Sequence, residues 1–146
     1  MASPLRWLDG IAYWVIDDPD AIYEFVNKQL RKEWEEDARS EERDPIKDEW
    51  LQDLSIRSWE LTTMETSRIK LDPQILNRVD TSHDYNFAER LKKRSAELRR
   101  SIESFGTVIW PLIVRAENFQ LVDGYCRYQT LHDLSIPRVY VYVGKL

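Results

Sequence analysis

Between Phe119 and Val143 the chain changes its hydrophobic period twice, and this limits what it can fold into more than any other stretch. Phe119 to Val122 reads as a short strand, which Asp123-Gly124 breaks. Tyr128, Leu131 and Leu134 then recur at helical spacing, and Val139-Tyr140-Val141-Tyr142-Val143 reads as a strand of β-branched and aromatic residues. Upstream, Phe87, Leu91, Leu98, Ile102 and Phe105 mark one side of a long helix ending at Gly106, a residue suited to the left-handed position after a helix. Val108 to Val114 is a short apolar run interrupted by Trp110-Pro111. Helix, strand, strand, helix, strand makes a compact mixed α/β unit (α+β in its segregation of elements).

This unit has further segments in front of it. Ile56 to Leu71 reads as strand, since Trp59, Leu61 and Thr63 alternate with Glu60 and Thr62, and a turn is expected around Asp72-Pro73. Asp18-Pro19 is a helix start, an Asx cap followed by proline at the first helical position. Ile22, Val26, Leu30 and Trp34, with Phe25 beside them, give that helix one apolar stripe. Asp44-Pro45 repeats the start signal, and Ile46, Trp50 and Leu54 mark a second, shorter helix. The expectation is a helical N-terminal extension over residues 1–55, packed on an α/β domain over residues 56–146.

Charge narrows the function classes. Residues 1–66 hold 17 acids against 8 bases and residues 67–146 hold 9 against 13, so the halves stand near −9 and +4. A modest basic balance in the second half suits a phosphate-bearing ligand. It does not make a duplex-binding surface, which needs many phosphates neutralised together. No apolar run approaches the ~18 residues of a membrane span. One cysteine cannot form an internal disulfide, and the N-terminus lacks the pattern of a secretory signal, so a cytoplasmic protein is expected. Arg90, Lys92, Lys93, Arg94, Arg99 and Arg100 form a basic belt on the long helix. The belt reads as a solvated helix face, or as a platform for an acidic partner such as a like chain's first helix, which leaves a homo-oligomer open.

The stretch Leu121-Val122-Asp123-Gly124-Tyr125-Cys126-Arg127 carries the most chemistry. A helix N-terminus presents unpaired N–H groups and partial positive charge, so anions bind there. Gly124 lets the backbone turn tightly and approach a ligand, and Arg127 offers a planar bidentate donor to phosphate oxygens. Asp123 is placed to cap the helix, or to hold a metal ion or a ligand hydroxyl. Local residue types alone equally fit an ordinary strand–turn–helix with a surface arginine.

Taken together, Glu97-Leu98, Ser101-Ile102, Gly106, Pro111-Leu112-Ile113-Val114, Gly124 to Arg127 and Val139 to Val143 resemble the ParB N-terminal domain and its relative sulfiredoxin. The resemblance implies a ParB/sulfiredoxin-like fold, a small mixed sheet with flanking helices. In ParB proteins the Gly-x-x-Arg turn contacts the triphosphate of CTP, and in the free-serine kinases of this superfamily an Asp-Gly-x-x-Arg turn contacts nucleotide phosphates. Gly124 and Arg127 match both, while Asp123 matches the kinases better. ParB has a basic residue where this chain has Cys126. The kinases place a glutamate after an upstream proline as catalytic base, whereas Asp72-Pro73-Gln74-Ile75-Leu76 has no carboxylate there. Asp72 or Glu65 would have to substitute, with Asp123 a third carboxylate to test.

The nucleotide site expected from the resemblance comprises Gly124, Tyr125, Cys126 and Arg127, with Trp110 against the base and Asp123 toward a hydroxyl or a nucleotide-borne Mg2+. The ligand is a nucleoside triphosphate or diphosphate that is sensed, hydrolysed, or used to phosphorylate a small hydroxyl substrate. Two alternatives remain open, a ParB-like DNA-associated accessory protein or nuclease, and an interaction domain that has lost its ligand. DNA binding by this chain alone is disfavoured by its net charge of −5. Sulfiredoxin carries its nucleophilic cysteine directly after the glycine, where this chain has Tyr125. The shift of one residue turns the side chain by about 100°, so Cys126 reads as a packed thiol, its pKa expected to be lowered by the helix end and Arg127. His83 and His132 form no zinc-ligand spacing with the one cysteine.

Overall fold

A computed structural model describes residues 4–38, 52–77, 79–80 and 85–146. The N-terminal segment is not wholly helical as the sequence reading expects. Strands β1 (Leu5–Leu8) and β2 (Ile11–Trp14) form an antiparallel hairpin before the first helix. The connecting Asp9 and Gly10 have φ of 49° and 83°. Positive φ at both central residues fits a two-residue hairpin turn, for which Asp-Gly between aromatic-rich runs is the local signal.

Helix α1 (Pro19–Ala38) starts where the sequence places it, with Asp18 Oδ2 accepting from the Ala21 N–H at 3.0 Å. Of its apolar stripe Ile22 and Val26 are fully buried, while the side chains of Leu30 and Trp34 lie outside the described residues. So does most of the second expected helix, including Ile46 and Trp50, although residues 52–55 are helical and Leu54 is fully buried. Strand β3 (Ser58–Glu65) is shorter than its expected run and leads into a 3-10 turn at Thr66–Arg68. Instead of a plain turn, Asp72-Pro73 opens the one-turn helix α2 (Pro73–Leu76), Asp72 accepting from the Gln74 N–H. Strands β4 (Val79–Asp80) and β5 (Tyr85–Asn86) pair briefly. Helix α3 (Phe87–Phe105) is capped by Asn86 and ends at left-handed Gly106, φ 62°. There follow β6 (Leu112–Arg115), β7 (Leu121–Asp123), α4 (Tyr125–Asp133) and β8 (Arg138–Lys145).

The main sheet has the order β3-β8-β6-β7. β8 is antiparallel to β3 and parallel to β6, and β6 is antiparallel to β7, so the fold is a mixed α/β sheet with flanking helices. The period-2 pattern of the strands sorts the core into two sides. Val139, Val141 and Val143 of β8, with Leu112, Val114 and Leu121, pack with Tyr125 and Leu131 of α4 and the stripe Leu91, Leu98 and Ile102 of α3. Tyr142, Ile113, Val122 and Trp59 face the other way, onto Ile22 and Val26 of α1. A strand buried on both faces needs both covered, and α1 supplies the second cover.

The hairpin also belongs to this core. The Trp14 N–H donates to the Ile109 carbonyl and the Ile109 N–H to that of Ala12, each at 3.0 Å, while Tyr13 packs edge-on against Tyr140. At the C-terminal ends of β6 and β8, the buried Arg57 guanidinium donates to Asp53 at 3.0 Å, to Glu117 Oε2 at 2.8 Å and to the Gly144 carbonyl at 2.9 Å. No helix among the described residues is long and apolar enough to cross a membrane.

Candidate functional site

Opposite that ion cluster, at the N-terminal end of β6, the chain leaves β7 through Gly124 and enters α4. Gly124 has φ 103° and ψ 28° and caps the helix without any side-chain bond. The first intrahelical bond is that of the Tyr128 N–H to the Gly124 carbonyl, at 2.8 Å. The N–H groups of Tyr125, Cys126 and Arg127 therefore have no acceptor within the helix and carry its positive end.

Arg127 folds back across this end. Its Nη1 donates to the carbonyls of Trp110 at 3.1 Å and Pro111 at 3.2 Å, and its Nη2 to Asp123 Oδ2 at 3.1 Å. These bonds tie the start of β6 to the end of β7. A Cβ on Gly124 would lie 2.9 Å from Arg127 Nη2 and 2.8 Å from Leu112 Cδ2. The missing side chain thus makes room for the protein's own guanidinium and for a core leucine. Three guanidinium protons have acceptors; Nε–H and the second Nη2 proton have none among the described residues.

The other expected site residues take varied positions. Asp123 neither caps α4 nor meets a second carboxylate, being paired with Arg127. Among the described residues no group of three or more His, Cys, Asp or Glu side chains could hold a metal ion, so Asp123 could meet a Mg2+ only together with the phosphates that carry it. The Tyr125 ring is buried, its hydroxyl donating to the Leu121 carbonyl at 3.0 Å and accepting the Asp72 N–H at 3.2 Å. Burial pushes this phenol up to about 12, so its part at the helix end is its backbone N–H. That bond brings the Asp72 backbone close, but the Asp72 carboxylate caps α2. Glu65 ends β3, with β8 and β6 between its strand and β7, and is not brought to the site.

Trp110 lies beside Arg127 through its carbonyl, and the residue is 38% exposed. One face stacks on Phe25 with centroids 4.8 Å apart, and Trp14 meets it edge-on at 6.5 Å. A base would meet an aromatic rim of Trp14 and Trp110, not one isolated indole.

The expected lowering of the Cys126 pKa is overturned. Burial pushes the thiol up, and the nearby Arg94 and Arg127 guanidiniums only partly pull it back. That balance also exposes a residue the sequence reading leaves in the basic belt. Arg94 of α3 is close enough to Cys126 to act on its charge, and it is exposed, with no hydrogen bond or ion pair among the described residues. It reaches the α4 end because Thr130 Oγ1 of α4 donates to the Ser95 carbonyl at 3.2 Å. No local pattern carries that packing. His132 is exposed on α4, and His83 lies outside the described residues.

No protein-family model and no curated protein matches the chain. Solved structures do. Over 62% of its length the chain is similar to the N domain of a pNOB8-like ParB, with 18% identity and a TM-score of 0.44, and it spans 30% of that chain. Over 59% it is similar to sulfiredoxin from Arabidopsis thaliana, with 18% identity and a TM-score of 0.42, spanning 85% of that protein. Over 59% it is similar to a C-terminally truncated ParB from Caulobacter crescentus complexed with CTP-γ-S, with 20% identity and a TM-score of 0.40, spanning 44% of that chain. The likeness is one of a ParB/sulfiredoxin-like fold and concerns the path of the backbone.

Proposed function

We propose that this chain is a nucleotide-binding domain that receives the phosphates of a nucleoside di- or triphosphate at the N-terminus of α4. The observation that carries the reading is the pairing of an uncapped helix end with a guanidinium fixed over it that keeps two N–H donors in hand. Three backbone N–H groups and one arginine edge suit an oxyanion, which accepts several short charge-assisted hydrogen bonds at once. Arg94 supplies a second positive charge from the α3 side, and the Trp14 and Trp110 rim offers a surface for the base. The Asp-Gly-x-x-Arg resemblance points to the same turn.

The reading stops at binding. Transfer of phosphate to a hydroxyl needs a proton acceptor within hydrogen-bond reach. Asp123 is paired with Arg127, Asp72 caps α2 and Glu65 stands two strands away. Any Mg2+ would arrive with the phosphates. Trp14 and Phe25, from the part of the chain before residue 56, pack against Trp110 and so belong to the site.

A second reading, an interaction domain without a ligand, is favoured by one observation: three of Arg127's donors are already satisfied by protein. Calorimetric titration with CTP, ATP and ADP, with and without Mg2+, separates the two. Because Arg127 also ties strands together, Arg94→Gln is the companion to Arg127→Ala. Arg127→Ala is expected to weaken triphosphate binding by about 1.5–3 kcal/mol, the scale of a hydrogen bond to a charged group. Arg94→Gln is expected to weaken binding with unchanged thermal stability. No saturable binding by any of the three nucleotides sinks the proposal and leaves the interaction domain.

A further inference from the structure

The two edges of the main sheet are not alike. Beside β7, Lys70 lies along the strand, its N–H donating to the Phe119 carbonyl at 3.1 Å and its carbonyl accepting the Leu121 N–H at 2.8 Å. The other edge is β3. The Ala116 N–H donates to the Gly144 carbonyl at 3.0 Å, so the main-chain groups of Gly144 point toward β6 and those of Val143 and Lys145 toward β3. Alternation across the register then turns Ser58, Glu60, Thr62 and Met64 toward β8, and Trp59, Leu61, Thr63 and Glu65 outward. The Thr66 N–H, which donates to the Pro137 carbonyl at 2.9 Å, falls on the same parity.

Trp59 is buried, but Leu61 is only half-buried and Thr63 and Glu65 are exposed. Among the described residues the outward backbone groups of Leu61 and Thr63 and the Glu65 N–H have no partner beyond a 3.5 Å contact of Thr62 Oγ1 with the Thr63 carbonyl, while the Glu65 carbonyl closes the 3-10 turn that follows it. The stretch has no proline, lysine or bulge to blunt it, and its charges are Glu60, paired with Lys145 at 2.7 Å, and Glu65 at the end of the strand.

We infer that a second copy of this chain pairs with β3 across a two-fold axis at Thr63, joining two sheets into one. Edge-to-edge antiparallel pairing must match outward residues with outward residues. Centred on Thr63, the midpoint of the open run, it sets Leu61 against Glu65 of the other copy and Thr63 against its own equivalent, with Thr62 beside Met64. About four main-chain hydrogen bonds form, a threonine pair sits on the axis, and neither Glu60 nor Glu65 faces another glutamate. Centring on Glu60 would oppose two like charges, and centring on Thr62 would require the buried Trp59. The contact is isologous and closes at two copies.

The test is sedimentation velocity with the full chain, from low micromolar to several hundred micromolar, for the wild type and Thr63→Pro. The Thr63 N–H faces away from β8, so proline there spares the ladder and the far-ultraviolet spectrum should be unchanged. It removes both hydrogen bonds on the axis and should raise the dimer dissociation constant at least about tenfold. In a Cys126→Ser background, Thr63→Cys should oxidise to a covalent dimer, since a hydrogen-bonded antiparallel pair brings Cα atoms to about 5.5 Å, within disulfide range. A wild type that stays monomeric throughout overturns the inference, whether the Leu61 and Thr63 amides prove protected by another stretch of the same chain or open to a foreign peptide. So does a dimer that Thr63→Pro leaves intact.

Discussion

Replacing Gly124 by alanine adds one methyl group, and the structure says what it would meet. The residue sits at φ 103°, a region an L side chain occupies at a cost of about 1–3 kcal/mol. Its new Cβ would stand 2.8 Å from Leu112 Cδ2, and Leu112 is completely buried, so the leucine has no free space to enter. Overpacking of that kind costs about 1–3 kcal/mol. The Arg127 guanidinium, 2.9 Å away at Nη2, can move, but only by loosening its bonds to Asp123, Trp110 and Pro111. The sum is a loss of about 2–6 kcal/mol from a domain whose whole stability is about 5–15 kcal/mol. Urea unfolding followed by tryptophan fluorescence measures it directly. Arg127→Ala and the double variant complete a cycle: with the guanidinium gone, Gly124→Ala should cost about 1 kcal/mol less than in the wild type. A loss under about 1 kcal/mol for the single variant, or a cycle with no coupling, would mean that Arg127 and Leu112 do not close over Gly124.

Arg57→Met should destabilise the fold by about 2 kcal/mol in chemical denaturation, because Glu117 loses its donor, Asp53 keeps only Arg115, and the Gly144 carbonyl keeps only the Ala116 N–H; a loss below about 0.5 kcal/mol would refute the cluster's role. The same ions set an acid limit. Burial raises the Asp53 carboxyl, but the Arg57 and Arg115 guanidiniums outweigh it, and hydrogen bonding to Arg57 lowers Glu117. Both folded values lie below the unfolded ones of about 4, so their contribution is fully present above about pH 5 and is lost as pH falls through the folded values. Melting temperature should drop below pH 4 in the wild type and more shallowly in Arg57→Met. Alkylation of Cys126 by iodoacetamide should be slow at neutral pH and climb only above the ordinary thiol range, since burial raises its pKa; a half-maximal rate below about pH 8 would contradict the packing around the thiol.

The parts of the fold written in local pattern were legible. Gly106 and the stripe Phe87, Leu91, Leu98 and Ile102 set the extent of α3, Asp18-Pro19 set the start of α1, and the valines of β8 announced a strand. The β1–β2 hairpin was also written locally, in Asp9-Gly10 between Leu5-Arg6-Trp7-Leu8 and Ile11-Ala12-Tyr13-Trp14, but the helical signals after it dominated the reading. Side-chain direction in the candidate site was not legible. Residue types at positions 123–127 describe an open anion turn equally well whether Arg127 points outward or folds over Gly124. Only the positions of the Trp110 and Pro111 carbonyls decide that, and they depend on how β6 sits against β7. Arg94 acts on Cys126 across 32 residues of sequence and Trp14 meets Trp110 across 96, both beyond any periodicity.

The position of β8 has a consequence for how the molecule is assembled during synthesis. β6 and β7 can pair soon after they leave the ribosome, because only five residues separate them. β3 emerges far earlier and has no neighbour to zip against until Arg138–Lys145 follows. Closing so long a loop is slow, since its entropy is lost before the ladder forms. For that interval β3 is a nascent strand with both borders bare, the state most open to chaperone capture or to wrong pairing with a neighbouring chain on the same polysome.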